Sequence, residues 1–412
     1  MMFKKDYSRK VVTNKSALDY VSFIKQDLLK YFESDFCSLL LPFDNDVVRD
    51  VSVLVREKKG FDYLVVVGIG GSNLGTLAIV EALFGKNHLL SSKKKVFFVD
   101  TVDSDSLADV LSFVKGKKFL LVLISKSGTT TESIANFEVL LKQIPLSQRK
   151  SRVVTISDEG SLLSSLALRK GYSHLFIPKK VGGRFSVFSS VGLFPLAFLG
   201  VDIKKLLLGA RGALEKFNKN NYALEGALDL YHNYLSGKKI NDLFIFSNDL
   251  ESLGKWYRQL MGESVGKRFS LSGSEKFIGI TPTVSIGSTD LHSVGQLYLG
   301  GPRDKFTSFV SVKNHKSIVV PSNKDIILRD LQGLSFKKIM DSILLGTMRA
   351  YKKNKLPFNH YEFVCKDEFE LGFFMQTKMF EIMILAHLLG VNPFDQPSVE
   401  EYKSETRKLL KK

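Results

Sequence analysis

The densest group of hydrogen-bonding side chains in this 412-residue chain is SKSGTTTES, residues 125–133, where six of nine residues carry a hydroxyl. It follows the apolar run FLLVLI and precedes IANFEVLLKQI, whose spacing is helical, so it occupies a strand-to-helix turn. Hydroxyls there donate to an oxyanion without adding charge, and the free N–H groups and positive end of the following helix strengthen the attraction. The alternative is an ordinary helix cap, with Thr129 or Thr130 as capping residue and a Glu shortly after. One cap explains one or two hydroxyls; six point to a phosphate cradle.

VVVGIGGSNLGT occupies the equivalent place after an earlier apolar run, with glycines at 68, 70, 71 and 75. Asn73 stands where a dinucleotide fingerprint needs its last glycine, and Gly75 is followed by Thr76 and Leu77, so the P-loop pattern also fails. What remains is a glycine turn opening a helix, either a tight turn alone or a second anion site. Arg184, in VGGRFSVFSSVG, can hold an oxyanion or form a surface salt bridge. Glu263, in GESVGKRF, is either a carboxylate that moves a proton or a solvated capping group. His292, in STDLHSVGQ, lies among small polar residues and is either functional or structural. The seven histidines show no H-x-x-x-H spacing, and no metal site is expected.

The elements that position these groups follow from the apolar pattern. Runs at 62–68, 95–99, 119–124, 152–156 and 174–177 read as strands buried on both faces, with helical patterns between them. That alternation implies βαβ units and a doubly wound parallel sheet. A leading helix is predicted over 14–35. Beyond about residue 200, helices are predicted at 203–217, 223–235, 249–263, 336–353, 369–390 and 398–411, and strands at 242–247, 306–312, 317–320 and 360–365. The chain therefore reads as two related α/β halves, 1–200 and 201–412, with the boundary near 195–205.

Hydrophobic residues at 44% and charged residues at 25% are globular usage. The first twenty residues lack the apolar stretch of a signal peptide and no later segment is long enough to span a bilayer, so a cytoplasmic, membrane-free protein is expected. Two distant cysteines, Cys37 and Cys365, fit a reduced compartment. The net charge of +17 raises a nucleic-acid role, but the lysines are scattered, with KKK at 93–95 the densest internal cluster, and the aromatic interleaving of single-strand binders is missing. A solvated Lys-rich surface, or a field that attracts a small anionic substrate, remains.

In this order, IGGSNLG, SKSGTTTES, VGGRFSVFS, GESVGK, STDLHSVGQ and NPFDQPSVEEYK resemble the phosphoglucose isomerase family over roughly residues 60–403. The resemblance implies two sugar-isomerase (SIS) domains, each a flavodoxin-like α-β-α sandwich with a parallel sheet, in a homodimer. It places the phosphate loop on Ser125, Lys126, Ser127, Thr130 and Ser133, beside Gly71 and Ser72. It places the catalytic base on Glu263, the enediolate-stabilising group on Arg184, and the ring-opening pair on Lys403 and His292, the latter supplied by the partner subunit. Gln259 and Gln396 match substrate contacts. The implied reaction interconverts glucose 6-phosphate and fructose 6-phosphate, with no cofactor. The rivals are an enzyme that also accepts mannose 6-phosphate and a non-catalytic sugar-phosphate sensor, which would need the cradle but not the base.

Overall fold

The computed structural model describes residues 2–5, 14–215, 221–314, 316, 318–322 and 327–411. Among them the strands are β1 (Met2–Lys5), β2 (Tyr63–Val67), β3 (Lys95–Val99), β4 (Phe119–Ile124), β5 (Val153–Asp158), β6 (Ser173–Ile177), β7 (Ile240–Ile245), β8 (Lys267–Phe269), β9 (Glu275–Ile278), β10 (Thr281–Ile286), β11 (Lys305–Val312) and β12 (Phe358–Phe363). The first sheet has the order β3-β2-β4-β5-β6 and is parallel throughout. All six residues of β4 are buried, as a strand covered by helices on both faces must be. The chain order reverses between β2 and β4, which opens a crevice at their carboxyl ends.

The second sheet runs β1-β12-β11-β7-β10. Its last four strands are parallel, whereas β1 pairs antiparallel with β12, Met2 opposite Glu362. The first residues of the chain thus extend the second sheet, although the expected division assigned them to 1–200. The leading helix, Lys15–Asp27, also leans on the second half: Tyr20 stacks on His387 at 3.8 Å and Ser16 Oγ lies 3.1 Å from His387 Nε2. The helix expected over 14–35 is shorter: it gives way to a 3₁₀ stretch, Leu28–Glu33, that is broken at Tyr31 (φ +51°).

The helices Phe336–Lys353, Glu368–Leu389 and Val399–Leu410 fall where the apolar periodicity placed them. The helix predicted over 203–217 spans Ile203–Glu215, its last two positions lying outside the described residues. The strand predicted at 317–320 includes residue 317, also outside them, and of the remainder Val319 makes only an isolated bridge to Ser335. Strand β10 and the β8–β9 hairpin were not anticipated. Nearly every residue of Glu368–Leu389 is buried, including Lys378, whose ammonium lies 2.8 Å from Glu381 Oε2. The hydroxyls of Tyr257 and Tyr361 complete that carboxylate's shell at 3.0 Å each, which is how a buried pair is tolerated.

Candidate active site

The site begins at the carboxyl edge of the first sheet. After β2 the chain makes a 3₁₀ turn, Gly70–Ser72, and enters the helix Leu74–Phe84. After β4 the loop Ser125–Thr130 leads into the helix Thr131–Leu141. Pairing of Val67 with Leu123 brings the two turns side by side. Thr130 holds the N-cap position with extended backbone, yet its side chain makes no capping bond. Its Oγ1 lies 3.1 Å from Ser125 Oγ, and Ser127 Oγ lies 2.7 Å from Thr129 Oγ1. The capping alternative for Thr130 therefore fails. The hydroxyls face one another around the loop, and the first-turn amides receive nothing from the Thr130 side chain, a geometry suited to an arriving oxyanion.

Lys126 is anchored beside this loop. Its Nζ donates to the carbonyls of Lys179 (2.7 Å) and Val181 (3.0 Å) and lies 3.8 Å from Asp158 Oδ2. Burial pushes the Asp158 carboxyl up to about 6, against the opposing pull of Lys126. Ser133, in the first helical turn, is buried.

The glycine turn connects this loop to the second half. A Cβ on Gly71 would lie 2.1 Å from the Gly183 carbonyl carbon, so the turn and the Gly183–Phe185 turn bearing Arg184 touch backbone to backbone. Gly70, at φ +59°, leaves room for Gln259, whose Nε2 would be 2.8 Å from a Cβ there. Glycine is required at both positions, at Gly71 by contact and at Gly70 by contact and dihedral.

Arg184 is only 3% exposed. Its Nε donates to Ser264 Oγ (2.8 Å), its Nη1 to Glu263 Oε2 (3.1 Å) and Gln396 Oε1 (3.0 Å), and its Nη2 to the carbonyls of Pro393 and Asp395 (3.1 Å for the latter). The surface salt-bridge alternative is thereby excluded. Burial lowers its pKa, while Glu263 pulls the other way; the guanidinium stays charged. Gln259 and Glu263 sit four apart on the helix Glu251–Val265, on one face, and Gln259 Nε2 donates to Glu263 Oε1 at 2.9 Å. Glu263 thus has both oxygens engaged, one by a neutral donor and one by a fixed cation. Its side chain keeps 29% exposure, toward a cavity of about 500 Å³ that Lys267, Asp395 and Gln396 also line.

Lys267 had no expected role, yet it ties this corner together. Its Nζ donates to the Glu263 carbonyl (2.9 Å), the Asp395 carbonyl (2.5 Å) and Asp395 Oδ1 (2.8 Å). Burial lowers its pKa, with Asp395 opposing. A Lys four residues past Glu263, just beyond the helix end, is the available sequence signal: it can satisfy a terminal carbonyl.

Two predicted residues stand apart within the chain. His292 is exposed at the end of the Thr289–His292 turn after β10, with no bond to Glu263 or Arg184 among the described residues. Lys403, on Val399–Leu410, donates to Glu400 Oε1 at 2.8 Å and keeps 36% of its side chain exposed. Among the described residues no group of three or more His, Cys, Asp or Glu side chains could hold a metal.

A hydroxyl loop at a topological switch point, joined by a glycine turn to a buried Arg–Glu pair, defines an α/β enzyme that works on a phosphorylated small molecule. The family model of phosphoglucose isomerase matches residues 56–412, and the chain belongs to that family. A glucose-6-phosphate isomerase of Mycoplasma capricolum is 36% identical over 368 residues, covering 86% of this chain and 84% of the relative. Among solved structures, a hypothetical protein from Thermus thermophilus superposes with a TM-score of 0.85 at 28% identity, covering 99% of this chain and all of its own. A glucose-6-phosphate isomerase from Chlamydia trachomatis shares the fold, with a TM-score of 0.77 at 22% identity, covering 89% of this chain and 73% of that one.

Proposed function

We propose that Glu263 is the base and Arg184 the anion-stabilising group with which this chain carries out its family's reaction, the interconversion of glucose 6-phosphate and fructose 6-phosphate. The phosphate sits in the loop of Ser125, Lys126, Ser127, Thr130 and Ser133, beside Gly71 and Ser72. The sugar then extends past the glycine turn toward Glu263, where Gln259 and Gln396 meet its hydroxyls. After ring opening, Glu263 removes the proton from C2 and returns it at C1. Arg184 balances the enediolate charge as it forms, in a place already desolvated, where a fixed cation is most effective.

The observation that carries this reading is the contact of the Arg184 guanidinium with Glu263 and Gln396 together, 3.1 and 3.0 Å, on a turn packed directly against Gly71. Glu263→Gln should keep phosphosugar binding and lower turnover by at least ~10²-fold. Unchanged turnover in a coupled assay of fructose 6-phosphate would remove Glu263 as base.

Ring opening falls to His292 and Lys403. That His292 is exposed and makes no bond to Glu263 or Arg184 among the described residues supports a homodimer in which each His292 serves the other subunit's site. Lys403 reaches substrate by releasing Glu400. Mixing inactive His292→Ala and Glu263→Gln subunits should restore part of the activity in hybrid dimers; no recovery after demonstrated subunit exchange would sink the shared site. A cytoplasmic location is supported by free thiols at Cys37 and Cys365, and among the described residues no helix is long and apolar enough to cross a membrane.

A further inference from the structure

The helix Leu74–Phe84 starts at the glycine turn, and Ser190–Phe198 starts shortly after the Arg184 turn. Followed away from the site, both run to a cavity of about 470 Å³ near the amino end of β3, at the opposite edge of the first sheet. Val80, Leu83, Phe84, Val96 and Leu199 give it apolar lining. Its polar lining is His88, Ser92, Lys93 and Lys94, part of the basic cluster that the isomerase chemistry leaves unused.

His88 is the informative residue. It is 7% exposed, and its ring makes no hydrogen bond to another described side chain. Because it lines the cavity, its ring can meet whatever occupies that space. Burial first, then the Lys95 ammonium, lowers its pKa, so at neutral pH it offers one N–H donor and one acceptor. Lys94 Nζ uses one donor on the Phe198 carbonyl (2.8 Å) and lies 4.2 Å over the Phe198 ring, which leaves further N–H groups for a ligand. Neither Lys93 nor Lys94 has a carboxylate at ion-pair distance among the described residues.

We propose that this cavity binds a small carboxylic acid with an apolar body, and that its occupancy alters the sugar-phosphate site through the two helices. The lining selects the ligand: the apolar side chains take the body, while His88 and the lysines take the carboxylate. The volume is within the ordinary range for a small-molecule pocket, ~300 to 1,000 Å³. Transmission is direct, because a ligand wedged between the far ends of two packed helices shifts the turns at their near ends. The two affinities are then linked reciprocally.

Octanoate is a suitable probe, with 1-octanol as its uncharged counterpart, in titration calorimetry on the full chain. Octanoate should bind saturably at one site per chain, at least ~10-fold tighter than octanol. His88→Leu and Lys94→Met should each weaken it by ~10-fold, and Leu199→Trp, which fills the cavity, should abolish it while leaving basal isomerisation intact. No saturable binding, equal affinity for octanol, or affinity unchanged in all three variants overturns the site. Saturating octanoate should also change KM for fructose 6-phosphate by ~5-fold or more in the parent chain and not in Leu199→Trp; an unchanged KM overturns the coupling.

Discussion

The two sheets place four parallel strands in the same relative order, β3-β2-β4-β5 in the first and β10-β7-β11-β12 in the second, yet they contribute opposite things. The first offers the loops at its switch point: a glycine turn and a ring of neutral hydroxyls, with Lys126 anchored among them. The second offers groups carried beyond its strand ends: Gln259 and Glu263 on the helix after β7, and His292 on the turn after β10. On the proposed reading, one topology serves holding in one half and proton transfer in the other. The difference lies in whether a loop or a helix face is turned toward the crevice.

That division can be tested by where a substitution is felt. The largest effect is expected at the seam, Arg184→Lys, which keeps a charge but cannot reach Ser264, Glu263, Gln396 and two carbonyls at once. Turnover should fall by ~10² to 10³-fold, and a merely ~2-fold loss would refute transition-state stabilisation by the guanidinium. On the holding side, Ser125→Ala should raise KM by ~10-fold with kcat nearly unchanged. A matching fall in kcat would erase the separation of roles.

The smallest effect concerns stability. Because the Asp158 carboxyl is raised to about 6 in the native state, the folded chain holds a proton that the unfolded chain has released. Its stabilising contribution is present below about pH 4 and is lost as pH rises through about 6. Asp158→Asn should therefore be flat across that window and ~1 to 3 kcal/mol more stable at pH 7, read from denaturant midpoints. Nearby His174, lowered to about 4 by burial, titrates with the opposite sign, so the comparison needs the single variant against the parent.

Much of this arrangement was legible in the sequence, for physical reasons. A strand such as FLLVLI, buried on both faces, declares itself as an unbroken apolar run. The hydroxyl loop and the Arg184 and Glu263 segments stood out because their composition exceeds what a turn or cap requires. Strand β10 did not, because TPTVSI mixes hydroxyls into the sheet. Those hydroxyls find their reason only in space, where Thr283 and Ser285 donate to the buried Asp242 at 2.6 and 3.0 Å. Strand β1 was hidden because its partner lies at the other end of the chain. The role of Lys267 is not legible in the sequence because two of its three acceptors belong to Asp395, far along the chain.

That distant pairing bears on how the protein is made. Met2–Lys5 leave the ribosome long before their partner strand Phe358–Phe363. The first sheet can assemble while synthesis continues, since all its strands lie between residues 63 and 177. The edge of the second must wait until Phe363 has been made, and closing so long a loop is slow. During that interval Met2–Lys5 have no partner strand, and once β12 is made its edge stays open to neighbouring chains until they close on it.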